Sequence, residues 1–510
     1  MPVKKVIFLS YSPVKTALEH LRVLGPLAHT EIQVINGIEG DKLNLDLVRS
    51  GDLVVFQRNF SSRYSAYRSV MNETHKHQIP VIMDLDDNLI GLPVDHPDRK
   101  WSPFAFELPA LLHAMMNVDA ITVTTPTLQS VIGQYNKNVF VLPNYLDDSI
   151  WNFVAKAPQD RQSPVTVAFV GTLTHQPDLN SIAEPLYELA EKYKEKISFL
   201  FYGPEIPDLL QGFGNIQHQP PVTYDYIEFA RTIRTISADI AIAPLNDNLF
   251  NRCKSPIKYM EYTAMGLPCV YSNITPYSDV IRNGFNGYLA DTANDWIEKL
   301  SELIDDQALR NQMLSNAQTD VQSNWMLHDH AFLWQNCFDQ VLQNGVQEEH
   351  ENQSQISALD QIAEQIEEQV QRQAEKTAIL NQTIQETQAQ IRLVKEEALR
   401  EEIRAAEILQ AEKRISQNQI AELNQTVQET QAQIRLVKEE ALREEIRAAE
   451  ILQEEKRFSQ SQIAVLIEQN KVVSLHLENT KREFAEFLLS DSWRITRPLR
   501  KLSRIIKRGK

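Results

Sequence analysis

Short apolar runs alternate with helical stretches over the first two thirds of the 510-residue chain. Five runs precede a polar, proline-containing stretch at residues 156–164, and five follow it. This alternation is typical of a parallel, doubly wound sheet. The sequence therefore predicts an α/β fold with two Rossmann-like domains, residues 1–155 and 156–345, facing a central cleft. The predicted strands are residues 6–9, 52–56, 81–85, 120–123 and 139–142, then 165–170, 197–202, 238–243, 269–271 and 288–290.

The pattern changes after Gly345, beyond which the chain has one more glycine and one proline. A 30-residue run that starts at Asn381 recurs almost unchanged at Asn424, a period of 43 residues. Because this period is one residue longer than six heptads, the heptad phase slips with each copy. The sequence predicts an interrupted helical coiled coil over residues 346–490. It would serve as a spacer or as a surface for self-association or a partner protein.

The last segment, residues 491–510, is basic. Eight Lys and Arg residues follow Trp493, and no acidic residue does. The apolar residues that share one helical face are Ile495, Leu499, Leu502 and Ile506. An amphipathic helix on an anionic membrane surface is the prediction. The alternative is a tail that docks on an acidic partner or on the acidic rod.

Composition narrows the function classes. A net charge of −17, with no basic stripe, argues against nucleic-acid binding. The three cysteines show no pairing or metal-ligand spacing and fit a reducing compartment. The first apolar run is too short for a signal peptide, and no run approaches the roughly 18 residues of a membrane span. We expect a cytoplasmic protein, soluble or peripheral at the inner face of the plasma membrane.

The densest group of candidate functional residues lies at residues 251–270, NRCKSPIKYMEYTAMGLPCV. Ser255 as the N-cap, Pro256 in the first turn and Gly266 at the end predict a helix. At its beginning, free N–H groups and the helix dipole already produce a positive potential.

Three cations, Arg252, Lys254 and Lys258, lie at this helix start and need an anionic partner. A pyrophosphate would satisfy both the N–H groups and the side chains. Glu261 follows Lys258 on the same helix face, where a carboxylate accepts hydrogen bonds from ribose hydroxyls. The alternative is a surface helix with ordinary ion pairs.

The run KSPIKYMEYTAMGLPCV, continued by SDVIRNGFNGYLA, resembles the donor-binding helix of GT-B glycosyltransferases, particularly the family-4-like enzymes (glycosyl transferases group 1). The resemblance implies that Glu261 holds the donor ribose. It also implies that the preceding loop, with Lys254 and Ser255, contacts the phosphates. Many members carry a second glutamate eight positions earlier, where this chain has Cys253. That departure affects the contacts to the sugar ring.

Weaker matches follow the same order along residues 1–340. Gly171 and Thr172, in FVGTLTHQPDL, form a strand-to-helix turn at which backbone approaches a phosphate. His175 in this run is a further candidate donor ligand, although a lone loop histidine is more often solvated. An LPN-x-x-D run at residues 142–147 resembles the interdomain crossover of the family. The SWR-x-T-x-PLR tail resembles that of bacterial cell-surface polysaccharide enzymes.

In the first domain, candidate residues follow two strands at their carboxyl ends, where ligands bind in such sheets. Arg58, Asp84 and Asp86 are predicted to bind the acceptor, and Asp87 to act at the sugar C1. Alternatives are helix capping or a metal-binding DxD motif of the GT-A type. Since cations already serve the phosphates, we expect no metal and no cofactor.

These features predict an enzyme that moves a sugar from a nucleotide-sugar donor to a glycan or lipid-linked acceptor in bacterial surface polysaccharide synthesis. Lys258 and Arg252 would stabilise the departing diphosphate as its charge grows. Retention of stereochemistry is implied by the resemblance alone.

Two other functions compete with this prediction. The first is an inactive GT-B scaffold on a coiled-coil stalk, and the second is a sugar-nucleotide epimerase. A dehydrogenase is less favoured because no G-x-G-x-x-G follows the first strand.

Overall fold

A computed structural model describes residues 2–12, 15–58, 60–101, 104–153, 163–221, 223–347, 353–412, 427–441, 443–444 and 447. The predicted amphipathic tail at residues 491–510 lies outside the described residues. The chain forms two compact units, with the boundary after Glu367.

The first domain contains a six-stranded parallel sheet of order β2-β1-β5-β6-β7-β8. All five predicted strands are present; β2 and a short hairpin of β3 and β4 were not predicted. The strands are Lys5–Leu9 (β1), Gln33–Asn36 (β2), Ile38–Glu39 (β3), Lys42–Leu43 (β4), Leu53–Gln57 (β5), Val81–Leu85 (β6), Ala120–Val123 (β7) and Val139–Val141 (β8). The helices are Ala17–Glu19 (α1), Gly25–Ala28 (α2), Leu45–Arg49 (α3), Tyr64–His77 (α4), Pro97–Trp101 (α5), Phe104–Asn117 (α6) and Pro126–Ile132 (α7), with a π-helical turn at His20–Leu24.

The central strands β5, β6 and β7 are buried along their whole length. Their nearly continuous apolar sequences fit a parallel sheet that is covered on both faces. The register places Gln57 beside Asp84, and Asp84 beside Thr122. Polar side chains from three neighbouring strands therefore meet at the carboxyl edge of the sheet.

The second domain repeats this plan with a parallel sheet of order β11-β10-β9-β12-β13-β14. All five predicted strands are again present, and β11 is an additional edge strand. The strands are Val165–Val170 (β9), Ile197–Tyr202 (β10), Ile216–Gln219 (β11), Ile240–Ala243 (β12), Cys269–Ser272 (β13) and Tyr288–Ala290 (β14). The helices are Gln176–Asn180 (α8), Ala183–Tyr193 (α9), Tyr226–Ile233 (α10), Leu249–Arg252 (α11), Ile257–Ala264 (α12), Tyr277–Val280 (α13), Ala293–Asp305 (α14) and Gln307–Asn324 (α15).

The chain crosses between the two domains twice, and the crossovers pair with each other. The Leu146 N–H donates to Trp325 O at 2.9 Å, and the Leu327 N–H donates to Leu146 O at 2.8 Å. After the second crossover, helix Phe332–Asn344 (α16) packs in the core of the first domain. The sequence predicts this segment as part of the second domain, residues 156–345, but its apolar face packs in the core of the first domain. Two Rossmann-like domains with a helical extension confirm the predicted fold class.

The long helix Gln353–Glu412 (α17) begins on the first domain. The apolar residues that it buries there are Ile356, Leu359, Ala363 and Ile366. Asp360 accepts a hydrogen bond from the Tyr64 hydroxyl at 2.5 Å and lies 3.0 Å from Arg68 Nε. Glu367 accepts from the Ser65 N–H at the start of α4. The first turns of the predicted rod therefore belong to the first unit.

The second unit comprises residues from Glu368 onward. Here α17 continues, residues 427–441 are helical, and Lys438 Nζ lies 2.8 Å from Glu402 Oε1. Large apolar side chains such as Leu393 and Leu399 are exposed on the helix. The coiled coil remains a prediction. Among the described residues, no helix combines the length and apolar character that a membrane crossing needs.

A substitution at Trp334 tests whether α16 belongs to the core of the first domain. The Trp334 side chain is 1% exposed, and its indole N–H donates to Arg22 O at 2.7 Å. We expect Trp334→Ala to lower the free energy of unfolding by about 3–5 kcal/mol and to speed amide exchange in β1 and β5. The exposed control Val370→Ala should change stability by less than about 0.5 kcal/mol. Faster exchange confined to β9–β12 would contradict this placement.

Candidate active site

The predicted donor helix is α12, which begins at Ile257, one residue later than the sequence predicts. Pro256 is the N-cap, so the prediction that Ser255 has this role is wrong. The Ser255 hydroxyl instead accepts a hydrogen bond from the Asn144 side-chain amide at 2.9 Å. Because Asn144 lies in the predicted LPN-x-x-D crossover, this bond fixes the loop before α12 to the interdomain connection.

Lys258, in the first turn of α12, reaches the carboxyl end of β9. Its Nζ donates to Val170 O at 2.7 Å and lies 5.3 Å from the centre of the Phe169 ring. Burial lowers the Lys258 pKa to about 8, with Lys254 also lowering it and Glu261 opposing the shift. The ammonium group is therefore charged at neutral pH and poorly hydrated, which strengthens its attraction for an anion.

Gly171 and Thr172 form the turn that follows Val170. The Gly171 N–H donates to Tyr202 O at 3.0 Å. Gly203, at φ +100°, packs so tightly that a Cβ there would lie 1.8 Å from Gly171 O. This close approach between Gly203 and Gly171 fixes the turn next to Val170, the residue that Lys258 contacts. Thr172, the second residue of the turn, is exposed.

His175 lies in the short 3-10 helix after this turn, 3.1 Å from Asp178 Oδ2 through its Nδ1. Burial lowers the His175 pKa to about 4, helped by Lys258 and Lys254 and opposed by Asp178. The imidazole is neutral at physiological pH.

Glu261, on α12 one turn after Lys258, is buried. Burial raises its pKa to about 7, while Lys258 and a hydrogen bond from Tyr226 act in the opposite direction. The Tyr226 hydroxyl donates to Glu261 Oε1 at 3.4 Å and accepts from Trp151 Nε1 at 3.1 Å. Tyr226 and Trp151 were not predicted, since nothing in the sequence pairs α10 and the crossover with α12.

Lys254 links the two domains. Its Nζ lies 3.4 Å from both Asp87 carboxylate oxygens and 4.3 Å from the centre of the Phe250 ring. Burial alone would raise the pKa of Asp87, but Lys254 and Arg58 outweigh it, and the pKa is lowered. Asp87 is thus an anion that faces the cations of the second domain.

Arg58 and Asp86 form a neighbouring pair, with Arg58 Nη1 3.5 Å from Asp86 Oδ1. Asp86 raises the Arg58 pKa, and burial raises the pKa of Asp86 against the effect of Arg58. The structure therefore brings Arg58, Asp86 and Asp87 together opposite Lys254.

Asp84 does not line the cleft with them, because its side chain is 2% exposed and fully used inside the first domain. It accepts hydrogen bonds from Arg22 Nη2 at 2.9 Å, Thr122 Oγ1 at 2.7 Å and Gln57 Nε2 at 3.2 Å. These contacts correct the prediction of a direct acceptor ligand, and Asp84 instead positions the loop that carries Asp86 and Asp87. Arg22 was missed because a single arginine in a helical stretch carries no signal of burial.

Arg252 also differs from its prediction. Its guanidinium pairs with Asp247 at 2.5 Å and 2.7 Å, and about half of the side chain is exposed. That ion pair raises the Arg252 pKa. Of the three predicted cations, Lys258 reaches the turn and Lys254 pairs with Asp87 of the first domain, whereas Arg252 pairs with Asp247.

Cys253 occupies the position where many family members carry a glutamate. The residue is buried, and burial raises the pKa of its thiol to about 11. Its carbonyl oxygen accepts a hydrogen bond from Thr125 Oγ1 at 2.8 Å. The position therefore faces the first domain and provides no charge there.

A metal would need ligands that are free to bind it, and Asp84 is already paired with Arg22. Within the described parts of the chain, one group has metal-ligand geometry: His29, Asp147 and Asp148, with ligand atoms within 4.8 Å of one another. Asp147 already accepts hydrogen bonds from His20 at 2.9 Å and from Ser149. This group belongs to the crossover rather than to the loops around Lys254.

Two facing Rossmann-like domains with a lysine-lined turn between them define a protein of GT-B architecture. Residues 164–306 match the family described as Glycosyl transferases group 1. No curated protein matches the chain in sequence.

Solved structures resemble the chain at low sequence identity. TarM of S. aureus is 16% identical with a TM-score of 0.43, and 58% of this chain aligns with 59% of TarM. Sucrose-phosphate synthase of Thermosynechococcus elongatus is 12% identical with a TM-score of 0.46, covering 67% of this chain and 100% of that one. Anabaena HepE, in complex with UDP and glucose, is 13% identical with a TM-score of 0.46, covering 65% and 98%. The chain thus spans about three fifths of the length of TarM.

The two aspartates Asp84 and Asp87 have different effects on stability. Asp84→Asn leaves the buried Arg22 without its counter-ion, so we expect a loss of about 3–5 kcal/mol in the free energy of unfolding. Asp87→Asn breaks a partly exposed pair, and we expect a loss of less than about 1 kcal/mol. Urea unfolding of both variants is the measurement. Equal losses would contradict the separate environments described above.

Proposed function

We propose that the protein is a glycosyltransferase that moves a sugar from a nucleotide-sugar donor to a glycan or lipid-linked acceptor. The observation that carries this proposal is that Lys258, one helical turn before the buried Glu261 on α12, reaches the end of β9 just before Gly171. The group 1 glycosyl transferase match over residues 164–306 supports it, because these groups lie in that segment.

The donor diphosphate would lie between the turn at Gly171–Thr172 and the first turn of α12. Lys258 reaches this position through its contact with Val170 O, and the start of α12 and Lys254, which pairs with Asp87, would add positive potential. Negative charge builds on the diphosphate as the bond to the sugar C1 breaks, so fixed cations stabilise the transition state more than the bound donor.

The nucleoside would lie along α12 towards Glu261. A carboxylate accepts hydrogen bonds from two vicinal hydroxyls, and Tyr226 holds this carboxylate in place through its own hydroxyl. Trp151 orients Tyr226 in turn, so a residue of the crossover fixes the angle of the ribose contact.

Asp87 would act from the first domain at the sugar C1. In the structure it is paired with Lys254. When a diphosphate competes for Lys254, the Asp87 carboxylate becomes available to stabilise the positive charge that develops at C1. Arg58 and Asp86 beside it would bind the acceptor, and the transfer would proceed with retention of configuration.

The remaining segments suggest where the reaction takes place. We propose surface polysaccharide assembly at the cytoplasmic face of the membrane, with the long helix as spacer and the basic residues 491–510 as anchor. Flotation tests the membrane assignment: the full-length protein should float with anionic liposomes, and a protein without residues 491–510 should not. Equal flotation of the two proteins would refute the assignment.

Substitutions on α12 separate donor binding from turnover. We expect Glu261→Ala to raise the donor KM about 10–100-fold, because a charge-assisted pair of hydrogen bonds is lost. Lys258→Ala should mainly lower kcat, by about 10²–10³-fold, since its cation acts on the leaving group. Steady-state kinetics with the exposed control Glu298→Ala is the measurement. Unchanged kinetics in both variants would refute the site, and the absence of turnover with every nucleotide sugar would favour the scaffold.

The pH dependence follows from the same two residues. Glu261, with a pKa of about 7, is protonated at lower pH and then accepts ribose hydroxyls poorly. Lys258, with a pKa of about 8, loses its charge at higher pH. We therefore expect kcat/KM to fall below about pH 7 and above about pH 8, because this ratio reports the free enzyme.

Two variants assign the limbs of that profile. Glu261→Gln should remove the acid limb while lowering the plateau, and Lys258→Arg should remove the alkaline limb. A wild-type profile that is flat between pH 6 and pH 9 would contradict the assignment.

A further inference from the structure

A cavity of about 230 Å³ opens between the two domains beside Lys254. The first domain contributes the loop from Pro93 to His96. The second contributes Asp178 and the segment from Asn246 to Asn251, which leads into α11. The volume lies below the roughly 300–1,000 Å³ of pockets that hold drug-sized ligands, so it suits one small ring rather than a chain of sugars.

Polar and apolar side chains share the walls of the cavity, and no lysine or arginine is found among the described residues that line it. Three amides, Asn246, Asn248 and Asn251, and two carboxylates, Asp95 and Asp178, supply most of its hydrogen-bonding groups. Amides and carboxylates are the side chains that match the paired donors and acceptors of sugar hydroxyls.

Asp178 is held rigidly as the anion of this wall. It accepts hydrogen bonds from the Asn246 N–H at 2.9 Å and from the Asn251 amide at 2.8 Å, and it lies 3.1 Å from His175 Nδ1. Burial would raise the Asp178 pKa, but His175, the Asn246 N–H and Lys254 outweigh it and lower the pKa. Its negative charge is therefore permanent at neutral pH, and the neutral His175 does not cancel it.

His96 adds a neutral donor from the first domain. Its Nδ1 accepts the Asp98 N–H at 3.2 Å, so the proton lies on Nε2. Burial lowers the His96 pKa, Asp98 opposes the shift, and Lys254 adds to it. The ring packs edge-on against Phe250, 5.0 Å between centroids, and Phe250 in turn carries Lys254 over its face. The cavity thus adjoins the proposed diphosphate position but lies outside the cation cluster.

We infer that this cavity receives the sugar ring of the donor and selects an uncharged sugar over one that bears a carboxylate. The inference rests on the proposed function, since the diphosphate at Lys254 is what directs the ring into the cavity. A uronic acid would place its carboxylate against Asp95 and Asp178, and none of the described residues that line the cavity is a lysine or arginine that would offset the repulsion. A neutral sugar offers hydroxyls that the amides, His96 and the carboxylates bind.

The test compares donors that differ only at C6 of the sugar. Calorimetry at pH 7.5 would use UDP, UDP-glucose and UDP-glucuronate, and GDP, GDP-mannose and GDP-mannuronate. We expect the neutral sugar nucleotide to bind at least about tenfold more tightly than its uronate for the nucleotide that the protein accepts. Equal or tighter binding of the uronate would overturn the inference. If the diphosphates bind and the sugars do not differ, the inference fails and the proposed function stands alone. If neither UDP nor GDP binds, the inference fails, and turnover with the other nucleotide sugars decides the proposed function.

A charge reversal at the exposed Asp95 checks that the cavity is responsible. Asp95→Lys should reduce the ratio of the affinity for the neutral sugar nucleotide to that for its uronate by about threefold or more. The substitution replaces a carboxylate that repels the uronate by an ammonium group that attracts it. Asp41→Lys, on the hairpin turn of the first domain, makes the same change in net charge and should leave the preference unchanged. If both variants shift the preference equally, overall charge and not the cavity controls it, and the inference fails.

Discussion

A lysine and a glutamate one helical turn apart, partly or fully buried under a glycine turn, constrain the chemistry of this protein. Lys258 is held by the last carbonyl of β9, and Glu261 by a tyrosine from α10. Burial penalises the charged form of both, so each titrates near neutral pH. Because such groups are poorly hydrated, they interact strongly with a charged or hydrogen-bonding ligand. Groups with shifted pKa values are therefore common at functional sites.

The domain connections maintain this arrangement from outside. Trp151 of the first crossover reaches Tyr226, while Asn144 of the same crossover binds Ser255 before α12. The second crossover pairs with the first at Leu146, and α16 then completes the first-domain core. Contacts from the crossover therefore orient both Glu261 and the loop before α12.

Much of the fold follows from the sequence, because buried parallel strands are continuous apolar runs. The edge strands β2 and β11, QVIN and IQHQ, escaped prediction because each is short and none of its positions is fully buried. Same-helix relations were also predictable, as for Lys258 and Glu261. Contacts over long sequence distances were not predictable, as for Arg22 with Asp84 and Tyr226 with Glu261. Each depends on tertiary packing, which side-chain spacing does not encode.

The central claim is that the lysines beside Gly171 recognise a diphosphate. The most direct measurement is calorimetric binding of nucleoside diphosphates and the matching monophosphates to the full-length protein at low salt. The account predicts that a diphosphate binds at least about tenfold more tightly than its monophosphate, because a second charged group engages Lys254 and Lys258. Equal affinity for the two, or no binding of either, would contradict it.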